Sequence, residues 1–317
     1  MTRPRVSVCV STYNHRRYIA DCLLSVLSQD VDAEVEVWVG DDMSNDGTSD
    51  IVASLAQAWP GRIHHVVHAE RQGPIGNLRS MIAMADGDFV AHLDGDDFWL
   101  PGKLREQIAM LQAAPECAAC CANAFVFDDE REPVGVFSNA RSQRFDTEGL
   151  LRRGNFLNHS SLLYRGEFRK ILLDLVPPFI DYRIHLTLGA AGGMAYTSKV
   201  LVGYRSNSSG SMLVHDNDAV RRQYFEAIEA ALPVISVKVR AEACADFLRR
   251  VAFRALRLRR LAMLQAWWPA ALQGSAETPV RFAFRCLRSF LMESVRQGMQ
   301  AFSTSVLRTR TRTLYFR

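Results

Sequence analysis

The chain has 317 residues, 48% of them apolar, and carries a formal net charge of +4. That length and apolar content are enough for a large α/β domain with a smaller appendage. Because no stretch reaches 18 apolar residues and the N-terminus has no long apolar run, we expect neither a spanning helix nor a signal peptide.

The first hundred residues alternate between short apolar runs and amphipathic stretches. The predicted strands are 6–10, 35–39, 63–67 and 89–93, and the apolar spacing of helices begins near Ile19, Thr48 and Leu78. Asn14 is a candidate cap for the first of these helices. This alternation predicts right-handed βαβ units and an α/β fold with a mainly parallel central sheet flanked by helices.

Polar clusters follow three of these predicted strands, at Ser11–Asn14, Asp41–Asp42 and Asp94–Asp97. Ligands bind at the carboxyl ends of strands in open α/β sheets, so we expect the three clusters to meet at one edge. In the last cluster, three carboxylates fall within four residues, and a divalent cation such as Mg²⁺ or Mn²⁺ would relieve their repulsion. The alternative is a solvated acidic turn that bends at Gly95.

The order and spacing of these segments, over roughly residues 4–105, resemble the family-2 glycosyltransferases, which have the Rossmann-like GT-A fold. The matching segments are Val6–Asn14, Ser25–Gln29, Gly40–Thr48, Gly73–Asn77 and Ala85–Asp97. The resemblance implies a nucleotide-sugar donor and a direct displacement that inverts the anomeric carbon.

The resemblance also implies roles for single residues. The base-binding residues would be Ser11, Tyr13 and Asp42, the ribose-side residue Asp94 and the metal ligand Asp96. A carboxylate acceptor suits the N–H of uracil, so we expect a UDP-sugar, and Mg²⁺ or Mn²⁺ would stabilise the diphosphate leaving group. Turn and cap roles are the alternative for Asp41 and Asp42, and a core position is the alternative for Tyr13.

A general base for the acceptor hydroxyl is expected beyond the metal motif. Related transferases open a helix here with an acidic residue before an aromatic, and Asp181-Tyr182 matches this in part, with Ile180 where Glu or Gly is common. Asp181 is therefore the predicted catalytic residue, although it would also suit a helix N-cap. His159 is the competing candidate and is expected to line the acceptor pocket, whereas His185 is expected to pack on a helix face.

The segment 199–205 resembles the strand and Tyr-Arg ending of the same family's catalytic domain. Many relatives place a histidine two residues after that arginine, but Asn207 stands here. His215 could substitute from the following Ser/Gly-rich stretch, which we expect to be a loop that closes over the donor; a solvated loop histidine is the alternative. We expect residues 1–215 to form the catalytic domain and 216–317 a basic α-helical C-terminal region.

Residues 219–317 hold 18 Lys and Arg and 6 Asp and Glu, which gives them a charge of +12 against −8 for residues 1–218. This asymmetry indicates an anionic partner. Helices are expected over 221–264 and from 280 to about 307, and their pattern resembles helices that lie at an anionic membrane surface. Packing on the catalytic domain or in a homodimer is the alternative; nucleic acid is not expected, because no binding motif is present.

Seven cysteines in no framework spacing argue for a reducing, cytoplasmic location. Cys117-x-x-Cys120-Cys121 lacks the second pair that a zinc site needs, so we do not expect zinc. The predicted protein is a cytoplasmic glycosyltransferase, peripheral on the inner face of the membrane. It would move a hexosyl or N-acetylhexosaminyl group from a UDP-sugar to a glycan or lipid-linked acceptor in bacterial surface polysaccharide or glycolipid assembly. The alternative is a non-catalytic protein that binds a nucleotide sugar or glycan on the same fold.

Overall fold

The computed structural model describes residues 3–130, 132–206, 218–306 and 312–315. Strands and helices alternate through the first hundred residues, as predicted. In chain order they are β1 (Arg5–Thr12), α1 (Ile19–Leu27), β2 (Glu34–Asp41), α2 (Thr48–Ala58), β3 (Ile63–Val67), α3 (Gly73–Met84) and β4 (Phe89–Asp94). Three strands thus end at or next to the polar clusters that we expected to meet at the sheet edge.

The middle of the described chain adds six strands and four α-helices. They are β5 (Phe98–Trp99), α4 (Lys103–Ala113), β6 (Ala119–Phe127), β7 (Pro133–Ser138), β8 (Gln143–Phe145), α5 (Thr147–Arg153), β9 (Leu163–Arg165), α6 (Arg169–Leu173), α7 (Asp181–Gly192) and β10 (Met194–Arg205). The tail follows as α8 (Asp218–Ala231), α9 (Val237–Leu258), α10 (Ala262–Ser275), α11 (Pro279–Val306) and β11 (Arg312–Tyr315).

The described strands form one sheet in the order β11-β7-β6-β9-β4-β1-β2-β3, with β10 pairing β5, β6 and β8. β1 runs parallel to β2 and β4, and β2 runs parallel to β3. β9 is antiparallel to both β4 and β6, so the sheet is mixed beyond the βαβ half. The predicted α/β fold with a mainly parallel sheet and flanking helices is confirmed.

Alternation along the strands divides the core between the two faces of the sheet, because successive side chains point to opposite sides. Val6, Val8 and Val10 of β1 belong to the cluster formed with α1, α2 and α4. Cys9 and Val90 belong to the other cluster, formed with α3, α7 and the tail helices. Residues of β4 at even positions therefore face α7, which places Asp94 on that side at the end of the strand.

Two local predictions at helix starts are wrong. Helix α1 has Tyr18 rather than Asn14 at its N-cap, and Asn14 instead adopts φ 55° and accepts a hydrogen bond from the Asn45 N–H at 2.9 Å. Helix α3 begins five residues before Leu78, at Gly73, because Pro74 is tolerated in a first helical turn. Asn14 consequently ties the end of β1 to the loop after β2.

The predicted helix over 221–264 is also wrong, because the chain breaks twice there. A 3-10 turn at Leu232–Val234 separates α8 from α9, and Arg259, with φ 55°, separates α9 from α10. Pro269 lies inside α10 instead of ending a helix, and β11 was not predicted. None of the described helices combines the length and apolar composition needed to cross a bilayer.

The tail helices share a core with the rest of the chain. Phe225 and Phe247 are buried in the same cluster as Leu188 of α7. The ring of Tyr224 on α8 stacks on Tyr182 of α7, with ring centroids 4.8 Å apart. The tail therefore packs directly against the helix that begins with Asp181.

Candidate active site

The Asp-Gly-Asp-Asp segment lies at the carboxyl end of β4, and its carboxylates point in different directions. Asp94 and Asp96 are half-buried, whereas Asp97 is buried. Oδ1 of Asp97 accepts from the Arg205 N–H at 2.8 Å, and its Oδ2 accepts from the Ser160 hydroxyl at 2.5 Å. Asp97 therefore connects the end of β10 to Ser160 inside the protein, while Asp94 and Asp96 remain partly exposed at the end of β4.

Gly95 lets the first polar cluster approach this turn closely. A Cβ at Gly95 would lie 2.8 Å from Oγ1 of Thr12 and 2.9 Å from Nδ1 of His15, which no real side chain tolerates. Those two atoms and Oγ of Ser11 are buried without a hydrogen-bond partner in the described part of the chain. Polar atoms left in this condition are normally satisfied by water or a ligand, so the turn and the end of β1 form a binding cleft.

The charges at this edge are poorly compensated. The pKa of the Asp94 carboxyl is raised to about 7, first by burial, then by the neighbouring Asp96 charge and to a smaller extent by Asp181, while His15 opposes the shift. In the described residues no three His, Cys, Asp or Glu side chains are arranged to enclose a metal ion. The hard oxygens of Asp94 and Asp96 fit Mg²⁺ or Mn²⁺ of the kind whose coordination is completed by phosphates.

Asp41 and Asp42, the second polar cluster, have different hydrogen-bond partners. Burial would raise the pKa of Asp41, but hydrogen bonds from His65, Ser44 and Ser49 outweigh it and hold the pKa well below its usual range. The N–H of Ser44 donates to Asp41 at 2.9 Å, which is the turn role considered as the alternative for Asp41. Gly47, not a carboxylate residue, is the N-cap of α2.

Asp42 reaches across to the loop before α3. Its carboxylate accepts from the N–H groups of Gln72 at 2.6 Å and Gly73 at 3.1 Å, and from Nε of Arg71 at 3.2 Å. A carboxylate has about four acceptor positions, so one is left for a further N–H. Asp42 thus orders the 70–73 loop, and its role in binding a base stays a prediction.

Tyr13 is half-buried and does not belong to either core cluster, so the core alternative is wrong. The guanidinium of Arg71 lies 3.5 Å from the centre of its ring. Tyr13, Arg71 and Asp42 therefore form one contact group at the edge of the sheet, with an aromatic face beside a carboxylate.

Asp181 is the first residue of α7, and Ile180 is the N-cap, so the cap alternative for Asp181 is wrong. Oδ1 of Asp181 accepts from Nδ2 of Asn155 at 3.0 Å and from the Tyr182 N–H at 2.7 Å. The negative charge of Asp181 also contributes to the raised pKa of Asp94. The assignment of Asp181 as the general base stays a prediction.

Three histidines form a buried row behind these carboxylates. Nδ1 of His92 lies 3.2 Å from Nε2 of His159, and Nδ1 of His159 lies 3.5 Å from Nε2 of His185. Burial lowers the pKa of all three, that of His185 to about 4, although Asp181 raises those of His159 and His185 in part. The rings are neutral at pH 7, which makes His159 a weaker proton acceptor than its ordinary pKa implies. His185 is buried on α7, in agreement with the packing expected for it.

Arg205 ends β10 next to the carboxylates. Its Nε donates to the Asp96 carbonyl at 3.2 Å, and its guanidinium lies 3.8 Å from the centre of the Tyr18 ring. Asn207, His215 and the predicted closing loop lie outside the described residues. A cavity of about 660 Å³ lined by Trp59, Phe98, Phe125 and Phe127 shares Arg205 but none of the predicted site residues.

Ser160 is a site residue that the sequence analysis missed. Besides donating to Asp97, its Oγ accepts from the Asp94 N–H at 3.2 Å, and its carbonyl accepts from Nε1 of Trp99 at 2.8 Å. The sequence predicted a role for the neighbouring His159 instead, because a serine is not recognisable as a site residue until its hydrogen-bond partners are known. Its position directly after His159 was the only available pointer.

Comparison with solved structures identifies the architecture. The crystal structure of S. aureus TarS 1-349 in complex with UDP-GlcNAc superposes with a TM-score of 0.64 at 18% identity, covering 93% of this chain and 92% of that one. The protein therefore has the GT-A fold.

Residues 7–171, just over half of the chain, match the model for glycosyl transferase family 2. The chain belongs to that family. The uncharacterized protein Rv1520 of Mycobacterium tuberculosis is 27% identical over 225 residues, which cover 70% of this chain and 64% of that protein. This chain therefore spans less than two thirds of that relative's length.

A further relative carries a specific activity in its name. The GalNAc(5)-diNAcBac-PP-undecaprenol beta-1,3-glucosyltransferase of Campylobacter jejuni is 36% identical over 102 residues, 32% of each chain. The chain is thus related to glycosyltransferases that build bacterial surface glycans.

Proposed function

We propose that this protein transfers a sugar from a UDP-sugar to an acceptor hydroxyl, with inversion at the anomeric carbon. The observation that carries the proposal is the pair of half-buried carboxylates, Asp94 and Asp96, at the carboxyl end of β4. Asp181, at the start of α7, is near enough for its charge to contribute to the raised pKa of Asp94. In this proposal Asp94 and Asp96 lie on the side of the leaving group, and Asp181 accepts the proton of the acceptor hydroxyl. This division of roles suits a single direct displacement.

Ser11, Tyr13 and Asp42 bind the nucleotide base. The remaining acceptor position of Asp42 takes the N–H of uracil, and the aromatic ring of Tyr13 packs against the base. Because Arg71 covers that ring, base binding requires its guanidinium to move or to stack over the base. The UDP-GlcNAc named for the TarS complex supports a UDP-sugar.

Asp96 holds a Mg²⁺ or Mn²⁺ ion, and Asp94 lies at the ribose side of the donor. When bound, the cation stabilises the charge of the departing diphosphate. Support comes from the two half-buried carboxylates, which repel each other. Among the described residues that act on Asp94, His15 is the one cationic side chain, and it does not cancel this repulsion. The phosphates then complete the coordination of the ion.

Asp181 accepts the proton of the acceptor hydroxyl as that oxygen attacks the anomeric carbon. Asn155 and the Tyr182 N–H both bind Oδ1, which fixes the carboxylate plane at the start of α7. Asp181 then carries the proton, and the bond between the sugar and the diphosphate breaks as the new glycosidic bond forms.

The acceptor is a glycan or a lipid-linked glycan of bacterial surface polysaccharide or glycolipid assembly. The undecaprenol in the name of the Campylobacter relative supports a lipid-linked acceptor, and the sugar is of the hexosyl or N-acetylhexosaminyl class. The protein would work in the cytoplasm, on the inner face of the membrane. Residues 1–215 carry the donor and base residues, and 216–317 form the basic helical region.

Release of UDP tests the proposal. The full chain is incubated with a panel of UDP-, GDP- and dTDP-sugars with and without Mn²⁺, and free nucleotide is measured. Slow Mn²⁺-dependent release from one UDP-sugar, accelerated by an acceptor glycan, is the expected result. Donor binding by thermal shift without any release, across the whole panel and with acceptor present, would favour a non-catalytic binding protein.

A further inference from the structure

Helix α11 presents an apolar stripe to solvent. Five side chains spaced by three or four residues lie along one side of the helix and are between 53% and 69% exposed. They are Val280, Phe284, Leu287, Leu291 and Val295. A stripe of this length spans four turns, or about 22 Å of helix at 1.5 Å per residue.

The opposite side of α11 already packs against the protein. Phe282 is fully buried and lies against Trp268, with ring centroids 5.4 Å apart, and Phe290 stacks on Phe253 of α9 at 4.6 Å. Phe282 and Phe290 thus lie on a different side of the helix from the stripe. The helix is therefore apolar on two sides, and packing explains only one of them.

The surface around the stripe is cationic. Arg281 and Arg288 are exposed along its edge. Residues 251–306, which include α11, contain just two carboxylates, Glu277 and Glu293. Glu277 pairs with Arg285 at 2.6 Å, and Glu293 pairs with Arg249 at 3.5 Å on the packed side of the helix. The charge of Glu277 also acts on Arg281, but two carboxylates leave the surface with a net positive charge.

We propose that α11 is a docking surface for a bilayer of anionic phospholipids, on which the helix lies flat with its apolar stripe among the acyl chains. Apolar side chains flanked by arginine are the chemistry that an anionic bilayer surface recognises. A second protein copy would bury the same stripe, but a symmetric contact would bring Arg281 and Arg288 close to their own copies. The purpose of this surface rests on the proposed function, since a lipid-linked acceptor presents its sugar at the membrane.

Vesicle flotation tests the surface without involving sugar transfer. The full chain is mixed with phosphatidylglycerol or phosphatidylcholine vesicles at low and high salt. We compare the parent with Phe284→Ser/Leu287→Ser/Leu291→Ser and with Arg281→Gln/Arg288→Gln. Val176→Ser, which changes a valine that is 85% exposed before α7, is the matched control. Circular dichroism confirms that each variant is folded.

The parent and the control should bind phosphatidylglycerol vesicles, with binding that weakens as salt rises. The triple variant should bind at least ~10-fold more weakly, and the arginine variant should lose the preference for anionic vesicles. Parental binding by the folded triple variant would overturn the proposal. So would a parent that ignores vesicles but dimerises through these side chains in sedimentation velocity. UDP release, measured separately, reports on the proposed function alone.

Discussion

Nδ2 of Asn155 donates a 3.0 Å hydrogen bond to Oδ1 of Asp181, while the backbone N–H of the same asparagine donates to the Tyr224 hydroxyl at 3.3 Å. One residue thus connects the proposed base to α8 of the basic tail. Since Tyr224 also stacks on Tyr182, the tail contacts both neighbours of the Asp181 carboxylate. The C-terminal region therefore supports the proposed base, Asp181, through both of these contacts.

Replacing Asp181 by Asn should remove the proton acceptor and keep the size and hydrogen-bonding shape of the side chain. We expect donor binding to be unchanged and sugar transfer to be at least ~100-fold slower, the usual scale for loss of a general base. Steady-state transfer rates and calorimetric UDP binding measure the two effects. Transfer at the parental rate would move the role to His159 or to a group on the substrate.

Replacing Asp96 by Asn should abolish Mn²⁺-dependent binding of UDP without unfolding the protein, because the side chain is half-buried at the sheet edge. Isothermal titration of UDP with and without Mn²⁺ measures this dependence. Asp50→Asn, an exposed change in α2, is the control for a lost negative charge. If Asp96→Asn keeps the Mn²⁺ dependence of the control, the assignment of the metal ligand is wrong.

Replacing Asp94 by Asn should stabilise the metal-free protein in a pH-dependent manner. The folded-state pKa is raised to about 7, so the native state keeps a proton that the unfolded chain releases from about pH 4 upward. The stability of the parent therefore falls as pH rises through this window, and that of the variant does not. We expect a gain of about 1–3 kcal/mol at pH 7.5, after allowance for partial solvation, and almost none at pH 4. Urea unfolding at both pH values in EDTA measures it; an equal gain at both would contradict the charge explanation.

Replacing Ser160 by Ala should destabilise the fold by about 1–3 kcal/mol, because it leaves the Asp97 carboxylate and the Asp94 N–H each short of a buried partner. Chemical denaturation measures the loss. Ser54→Ala, an exposed serine on α2 whose hydroxyl binds only its own helix, is the control and should change stability by less than about 0.5 kcal/mol. An equal effect of the two changes would show that Ser160 does not hold the two residues together.

The strands, and the position of Asp42 and Asp94 at the carboxyl ends of two of them, could be predicted from sequence for physical reasons. Apolar runs of strand length are local signals, and parallel strands bring their carboxyl ends to the same edge. Ser160 and Asn155 could not be predicted, because each acts only through a partner between 26 and 66 residues away in the chain. The same holds for Phe282, whose inward direction depends on Trp268 and not on helical spacing.

The helix breaks in the tail were missed because they depend on backbone angles at ordinary residues. Arg259 turns the chain with a positive φ, a conformation that is uncommon for arginine and cannot be predicted from the residue type. The prediction ended the first tail helix at residue 264, but α10 continues through Pro269 although proline removes a backbone donor.

β11 pairs in parallel with β7, so the last described strand covers an edge formed by residues 133–138. During synthesis, that edge stays open until about 175 further residues have left the ribosome, which takes roughly 10–35 s at 5–20 residues per second. An uncovered strand edge can pair with another chain for that whole interval. Fragments that end before residue 312 are therefore poor substitutes for the full chain, whatever catalytic residues they retain.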